Sequence, residues 1–145
     1  MRYATRLFPL ILSLVVLTGC LQDSASYSFA EKDHAITLIR NQQWFWQDSL
    51  EVEVVILRLP ECNGGGRILD LTRDSKIRLY QAPAEYAEPM FILKAGKRAF
   101  AIGDRSCRFE PFKEMPDDLG VKLGIFKEVD GQFRFVPAEP AGTQE

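Results

Sequence analysis

The chain has 145 residues, of which 46% are hydrophobic, 11% aromatic and 26% charged, a composition that suits one globular domain and excludes wholesale disorder. Eighteen Lys and Arg against 20 Asp and Glu leave a net charge of −2, without the basic excess of a general nucleic-acid binder. One His and three Cys leave few side chains for metal or nucleophile chemistry, so neither a cofactor nor a metal site is expected.

Residues 1–6 carry Arg2 and Arg6 and no acid, and residues 7–17 are apolar apart from Ser13. A basic start, a short apolar run and small residues before a cut site make a secretory signal. The run is shorter than the roughly 20 residues of a membrane-spanning helix. It closes on Leu17-Thr18-Gly19-Cys20, which resembles the lipobox of bacterial lipoproteins. The resemblance implies that residues 1–19 are a cleaved signal peptide and that the Cys20 thiol is joined to diacylglycerol, with the new amine acylated as well. Small Thr18 and Gly19 would admit the processing enzymes. Leu21, rather than Asp, follows the cysteine; in Gram-negative lipoproteins this implies the outer membrane, with the protein facing the periplasm. Each buried methylene contributes about 0.8 kcal/mol, and two or three acyl chains hold where one holds only marginally. The resemblance covers the first twenty residues and names a broad class, with no specific functional family.

The mature chain would carry 16 basic and 20 acidic residues, a net of −4. Residues 20–33 read as the lipidated Cys and a flexible tether, polar and rich in small side chains; thirteen flexible residues span about 20 Å r.m.s.. Residues 34–136 read as the folded domain and residues 137–145 as a disordered tail. With Cys20 acylated, Cys62 and Cys107 remain. In an oxidising compartment they are expected to form a disulfide, stabilising by about 4 kcal/mol in the chain-entropy view. Their spacing is not the Cys-x-x-Cys of a redox pair.

Along the domain the hydrophobic period is mostly two. Ser28-Phe29-Ala30-Glu31 fits a capping box, which favours a short helix there, but residues 35–39 read better as a strand. Residues 42–47 and 50–59 flank Asp48-Ser49, a weak hairpin signal. Residues 50–54 alternate, and Val55-Ile56-Leu57 is apolar on both faces, as in a strand that becomes buried on both sides. Residues 68–72 and 76–80 are strand-like. Residues 90–94 and 98–102 flank Ala95-Gly96-Lys97, a hairpin signal. Residues 121–129 and 132–136 flank Asp130-Gly131, the pair that a type I′ turn favours because its central residues need positive φ. The expected fold is all-β, a small antiparallel β-sandwich or barrel.

Few residues carry chemistry. On a strand, Trp44 and Trp46 point one way and Phe45 the other, so the indoles either pack in the core or form an aromatic platform for a partner. Residues 58–113 hold eleven basic and seven acidic residues; Lys94, Lys97 and Arg98 cluster at one hairpin, where they either meet an anionic polymer or lipid head groups or belong to a mixed solvated surface. Gly64-Gly65-Gly66-Arg67 lacks the Lys-Ser/Thr of a phosphate-binding loop and reads as a flexible loop beside the disulfide. His34, the single histidine, reads as a surface or strand-end residue. Glu51 and Glu53 share one strand face and read as solvated. Asp117-Asp118 and the Asp70/Asp74 pair do not match a calcium loop.

These readings point to a non-enzymatic binding or assembly module, held at the outer membrane by its lipid. Candidate contacts are Trp44, Trp46, Lys94, Lys97 and Arg98, with an envelope protein, a glycan or an anionic polymer as partner. An alternative is an inhibitor of an envelope-degrading enzyme such as lysozyme, although the inhibitory loop motif of such proteins is not evident. A second is a carboxylate-dependent hydrolase using Glu51 and Glu53 with His34 nearby.

Overall fold

The computed structural model describes residues 21–30 and 33–140; the expected signal peptide and Cys20 lie outside them. Ten strands follow one another: β1 (Gln22–Ser28), β2 (His34–Asn41), β3 (Leu50–Arg58), β4 (Cys62–Leu71), β5 (Ile77–Gln81), β6 (Met90–Ala95), β7 (Arg98–Gly103), β8 (Phe109–Pro111), β9 (Val121–Val129) and β10 (Gln132–Pro137). No helix occurs among the described residues. The strands form two antiparallel sheets, one ordered β1-β2-β3-β4 and the other β10-β9-β5-β6-β7-β8. The fold is therefore the expected small all-β sandwich.

Alternation builds the core. On β2, Ile36 and Leu38 point inward; on β3, Val52, Val54 and Ile56 do so. They meet Ile77, Leu79, Leu93, Ile102 and Phe126 of the facing sheet, and removal of these side chains from water is the main driving force for the two layers to pack. The sheet edges also face each other. Tyr27 of β1 lies 4.9 Å from Phe135 of β10, ring centre to ring centre, and β8 runs beside β4. Ile92 points to the outer face of its sheet and is nevertheless fully buried. The connection from β8 to β9 starts with the Phe112 amide donating to the Ala99 carbonyl and ends with Gly120 against Gln81, so it carries the chain from the β8 edge back to β5.

The turn chemistry is as read. Asp130 and Gly131 have φ of 52° and 76°, matching a type I′ turn between β9 and β10. Gly96 has φ of 60° at the β6–β7 turn, where a Cβ would be strained.

Four readings need correction. Residues 22–28 are not part of a flexible tether. They pair with β2 along their whole length, from Gln22 opposite Asn41 to Ser28 opposite Ala35. Their small polar side chains face solvent while Ala25 is buried and Tyr27 packs against the core, so backbone pairing outweighs weak patterning. The chain then turns at Ala30, with φ of 61°, rather than entering a helix. Residues 42–47 form a loop, not a strand. The three glycines at 64–66 lie within β4 and pair with Ile56, Val55 and Val54, rather than forming a flexible loop. A Cβ on Gly64 would sit 2.0 Å from the Cys107 carbonyl oxygen, and one on Gly66 would sit 2.3 Å from the Phe109 ring. Glycine lets β8 and its approach lie directly on this edge. His34 starts β2 but is buried, with its ring 5.7 Å from Phe29. At the far end Pro137 closes β10, and the Ala138 amide donates to Leu123; residues 141–145 of the expected tail lie outside the described residues.

Because every pairing is antiparallel, the connections sort to two poles. One pole holds the start of β1, the 42–49 and 72–76 loops and the Gly96-Lys97 and Asp130-Gly131 turns. The other holds the β1–β2, β3–β4, β5–β6 and β7–β8 connections. Cys62 and Cys107 are bonded at this second pole, with Cα atoms 5.9 Å apart, and the bridge joins the two sheets. Arg58 supports the same corner through Asp104 at 2.6 Å. Glu88 grips the β7–β8 turn: its carboxylate accepts from Ser106 Oγ at 2.6 Å and from the Arg105 and Ser106 amides at 3.1 Å. The Ser106 hydroxyl, more than any other partner, holds the Glu88 carboxyl below its ordinary pKa.

Candidate functional site

The first pole carries the molecule's most conspicuous exposed aromatics. Trp44, Phe45 and Trp46 are 51%, 66% and 63% exposed. The Gln47 amide donates to the Trp44 carbonyl at 3.0 Å, and the Gln42 side-chain amide donates to the Gln47 carbonyl. These bonds close the loop into a tight turn, so residues 44–46 do not alternate as a strand would. Trp44 and Trp46 stack with centres 5.0 Å apart, and Phe45 meets Trp46 edge-on at 4.8 Å. The indoles are thus a surface cluster, resolving the choice between core and platform in favour of the surface. Leu69 of β4 is exposed as well and lines a shallow groove with Gln43 and Gln47, which flank the aromatic turn, and with Asp70. An exposed cluster of large apolar rings of this kind commonly marks contact with a partner or a membrane.

The basic hairpin reaches the same pole. Lys97 and Arg98 line an open groove together with Lys76 and Arg78, but Asp70 and Asp74 line it too. Arg98 donates to the Leu69 carbonyl at 2.5 Å, and Lys94 lies on β6, opposite Ala99 and Arg78. The cations therefore share their groove with two carboxylates rather than forming an unopposed patch.

Arg40 was missed in the sequence. It is 3% exposed and stands in the inward series Ile36-Leu38-Arg40 of β2. Its guanidinium donates to Asp23 of β1 at 2.7 and 2.5 Å, to Glu128 of β9 at 3.1 Å and to the Arg73 carbonyl at 3.3 Å. It also lies 4.3 Å from the Phe133 ring centre, a cation–π contact. The bond to Asp23, before any other partner, raises its already high pKa. An arginine on the inward face of an otherwise apolar strand was the available signal, because a buried charge requires partners.

Glu51, Glu53 and His34 do not come together. Glu51 lies 3.5 Å from Arg67, and Glu53 is exposed. Glu51 pairs with Asn41 and His34 with Arg58, at opposite ends of the β2–β3 ladder, about 23 Å apart at ~3.3 Å per residue. His34 instead approaches Glu61 at 3.9 Å, and its buried Nδ1 has no hydrogen-bond partner. Among the described residues no cluster of His, Cys, Asp and Glu is arranged to hold a metal ion. A groove of about 730 Å³ runs along β9 and the segment after β10, with Lys122 and Glu139 as its charged lining residues.

No family profile, curated protein or solved structure matches this chain.

Proposed function

We propose that the protein is a lipid-anchored envelope lipoprotein whose β-sandwich is a non-enzymatic binding module on the periplasmic side of the outer membrane. The lipobox-like Leu17-Thr18-Gly19-Cys20 after a basic and apolar leader supports the anchor and the compartment. The disulfide accords with an oxidising location. The observation that carries the binding reading is the exposed aromatic turn at 44–46, held in a fixed shape by its own hydrogen bonds. Leaving three large rings in water is unfavourable, and a contact that covers them recovers that free energy. Lys97 and Arg98 flank this pole and Lys94 lies behind them as accessory contacts.

The test is mass spectrometry and envelope fractionation of the protein from its native host. The expected result is a mature chain starting at acylated Cys20 in the outer-membrane fraction, with Cys20→Ala abolishing both the modification and the fractionation. An intact leader or an unmodified thiol in the wild-type protein would refute the reading.

A further inference from the structure

The place where the chain enters the fold constrains how a lipid-anchored protein can sit. Leu21 is the first described residue, and its carbonyl accepts from the Gln42 amide at 3.0 Å. β1 starts at the next residue and is paired from Gln22 onward. Cys20 is joined to Leu21 by one peptide bond. Gln42 is in turn two residues from Trp44. The acylation point and the aromatic turn therefore share one pole, without a long tether between them.

We propose that the Trp44-Phe45-Trp46 turn is a membrane-interface anchor, seated in the head-group region of the same bilayer that holds the acyl chains of Cys20. The inference rests on the lipoprotein reading and names the occupant of the aromatic surface. Three features select a lipid surface over a protein or glycan. First, acyl chains attached two residues before β1 bring this pole to the bilayer whatever else the domain touches. Second, tryptophan prefers the membrane–water boundary, where an apolar ring and a polar N–H are both accommodated. Third, the turn lies in the β2–β3 connection at this pole with all three of its rings more than half exposed, so large apolar side chains are presented there. The groove holding Lys97 and Arg98 also holds Asp70 and Asp74, so contact is governed by the rings rather than by anionic lipid. The sandwich then stands on the membrane with its disulfide-bonded pole outward.

The chain has two tryptophans, and both are in this turn, so intrinsic fluorescence reports on the site alone. The acylated protein is reconstituted into phosphatidylcholine vesicles, with acylation verified by mass. The expected result is blue-shifted tryptophan emission and quenching by lipids brominated near the head of the acyl chain. Adding phosphatidylglycerol should change the quenching little. The unacylated Cys20→Ala chain supplies a second arm, whose weaker vesicle binding should fall about tenfold or more in a Trp44→Gln, Phe45→Gln, Trp46→Gln variant, since removing even one half-exposed ring from water is worth about that factor. Water-like, unquenched emission from verified acylated protein would overturn the inference while leaving the lipoprotein reading intact. An unacylated native protein whose tryptophans are still quenched by vesicles would refute the anchor and sustain the aromatic contact. Emission that shifts with isolated peptidoglycan or an envelope protein, but not with vesicles, would assign the turn to that partner and overturn the inference.

Discussion

Replacing Arg40 by Met removes the charge that joins the two sheets at the pole where β1 starts. In the native protein Arg40 is 3% exposed and contacts Asp23, Glu128, the Arg73 carbonyl and the Phe133 ring. Hydrogen bonds between charged groups contribute about 1.5–3 kcal/mol each, and breaking a buried ion pair from one side costs about 3–5 kcal/mol. Here the abandoned carboxylates are not sealed away: the Asp23 and Glu128 side chains are 26% and 32% exposed and can take up water. Methionine also fills most of the vacated volume. The expected loss is therefore about 3 kcal/mol, the low end of that range, or a fall in Tm of about 12 °C for a domain of this size. Urea unfolding followed by circular dichroism, with the disulfide intact, measures it. A triple variant that also carries Asp23→Asn and Glu128→Gln should recover part of the loss, because neutral amides no longer demand a cation. A change below about 1 kcal/mol for Arg40→Met would show that the cluster is a solvated surface pair and that the strand after Cys20 is held by backbone pairing alone.

Gly64→Ala and Gly66→Ala should each destabilise by roughly 1–3 kcal/mol through overpacking, with Gly64→Ala the worse because its new methyl meets the Cys107 backbone rather than a ring; thermal unfolding of the two variants gives the order. Cys62→Ala with Cys107→Ala should cost about 4 kcal/mol by the loop-closure relation for a sequence separation of 45, read as a lower urea midpoint that added reductant does not move further. For Glu88, whose carboxyl is held below its ordinary value of 4.5, the stabilisation is complete above that value and is lost as pH falls through the lower, folded-state pKa. Glu88→Gln should therefore remove part of the wild-type loss of stability in acid, seen by comparing urea midpoints between neutral pH and pH values below 4.5.

Several elements could be read from the residues because local chemistry and tertiary packing agree there. Asp130-Gly131 carries its own backbone preference, the β3 alternation matches a half-covered strand, and Cys62 and Cys107, 45 residues apart, are bonded as expected. Reading failed where the two disagree. β1 is a strand of serines and other small polar residues, specified by the edge it adds to rather than by its own burial. The glycine run resembles a loop because nothing in the sequence reveals that Cys107 and Phe109 press onto it. Trp44-Phe45-Trp46 has strand-forming side chains, yet Gln42 and Gln47 tie the backbone into a turn. The aromatic residues themselves were legible as site candidates; their shared pole with the entry point of the chain follows only from the register of ten strands.

That register has one more consequence. β1 begins at one pole and β10 finishes at the other, because the β8–β9 connection passes from pole to pole and so β8 and β9 run in the same direction. Tyr27 of β1 packs beside Phe135 of β10, so the steps from Leu21 to Tyr27 and from Phe135 to Pro137, at ~3.3 Å each, put the exit after Pro137 about 26 Å from Leu21 along the strands. A body threaded this way is a stiff spacer: whatever is fused after Pro137 would be held away from the entry point of β1 at a distance set by strand length.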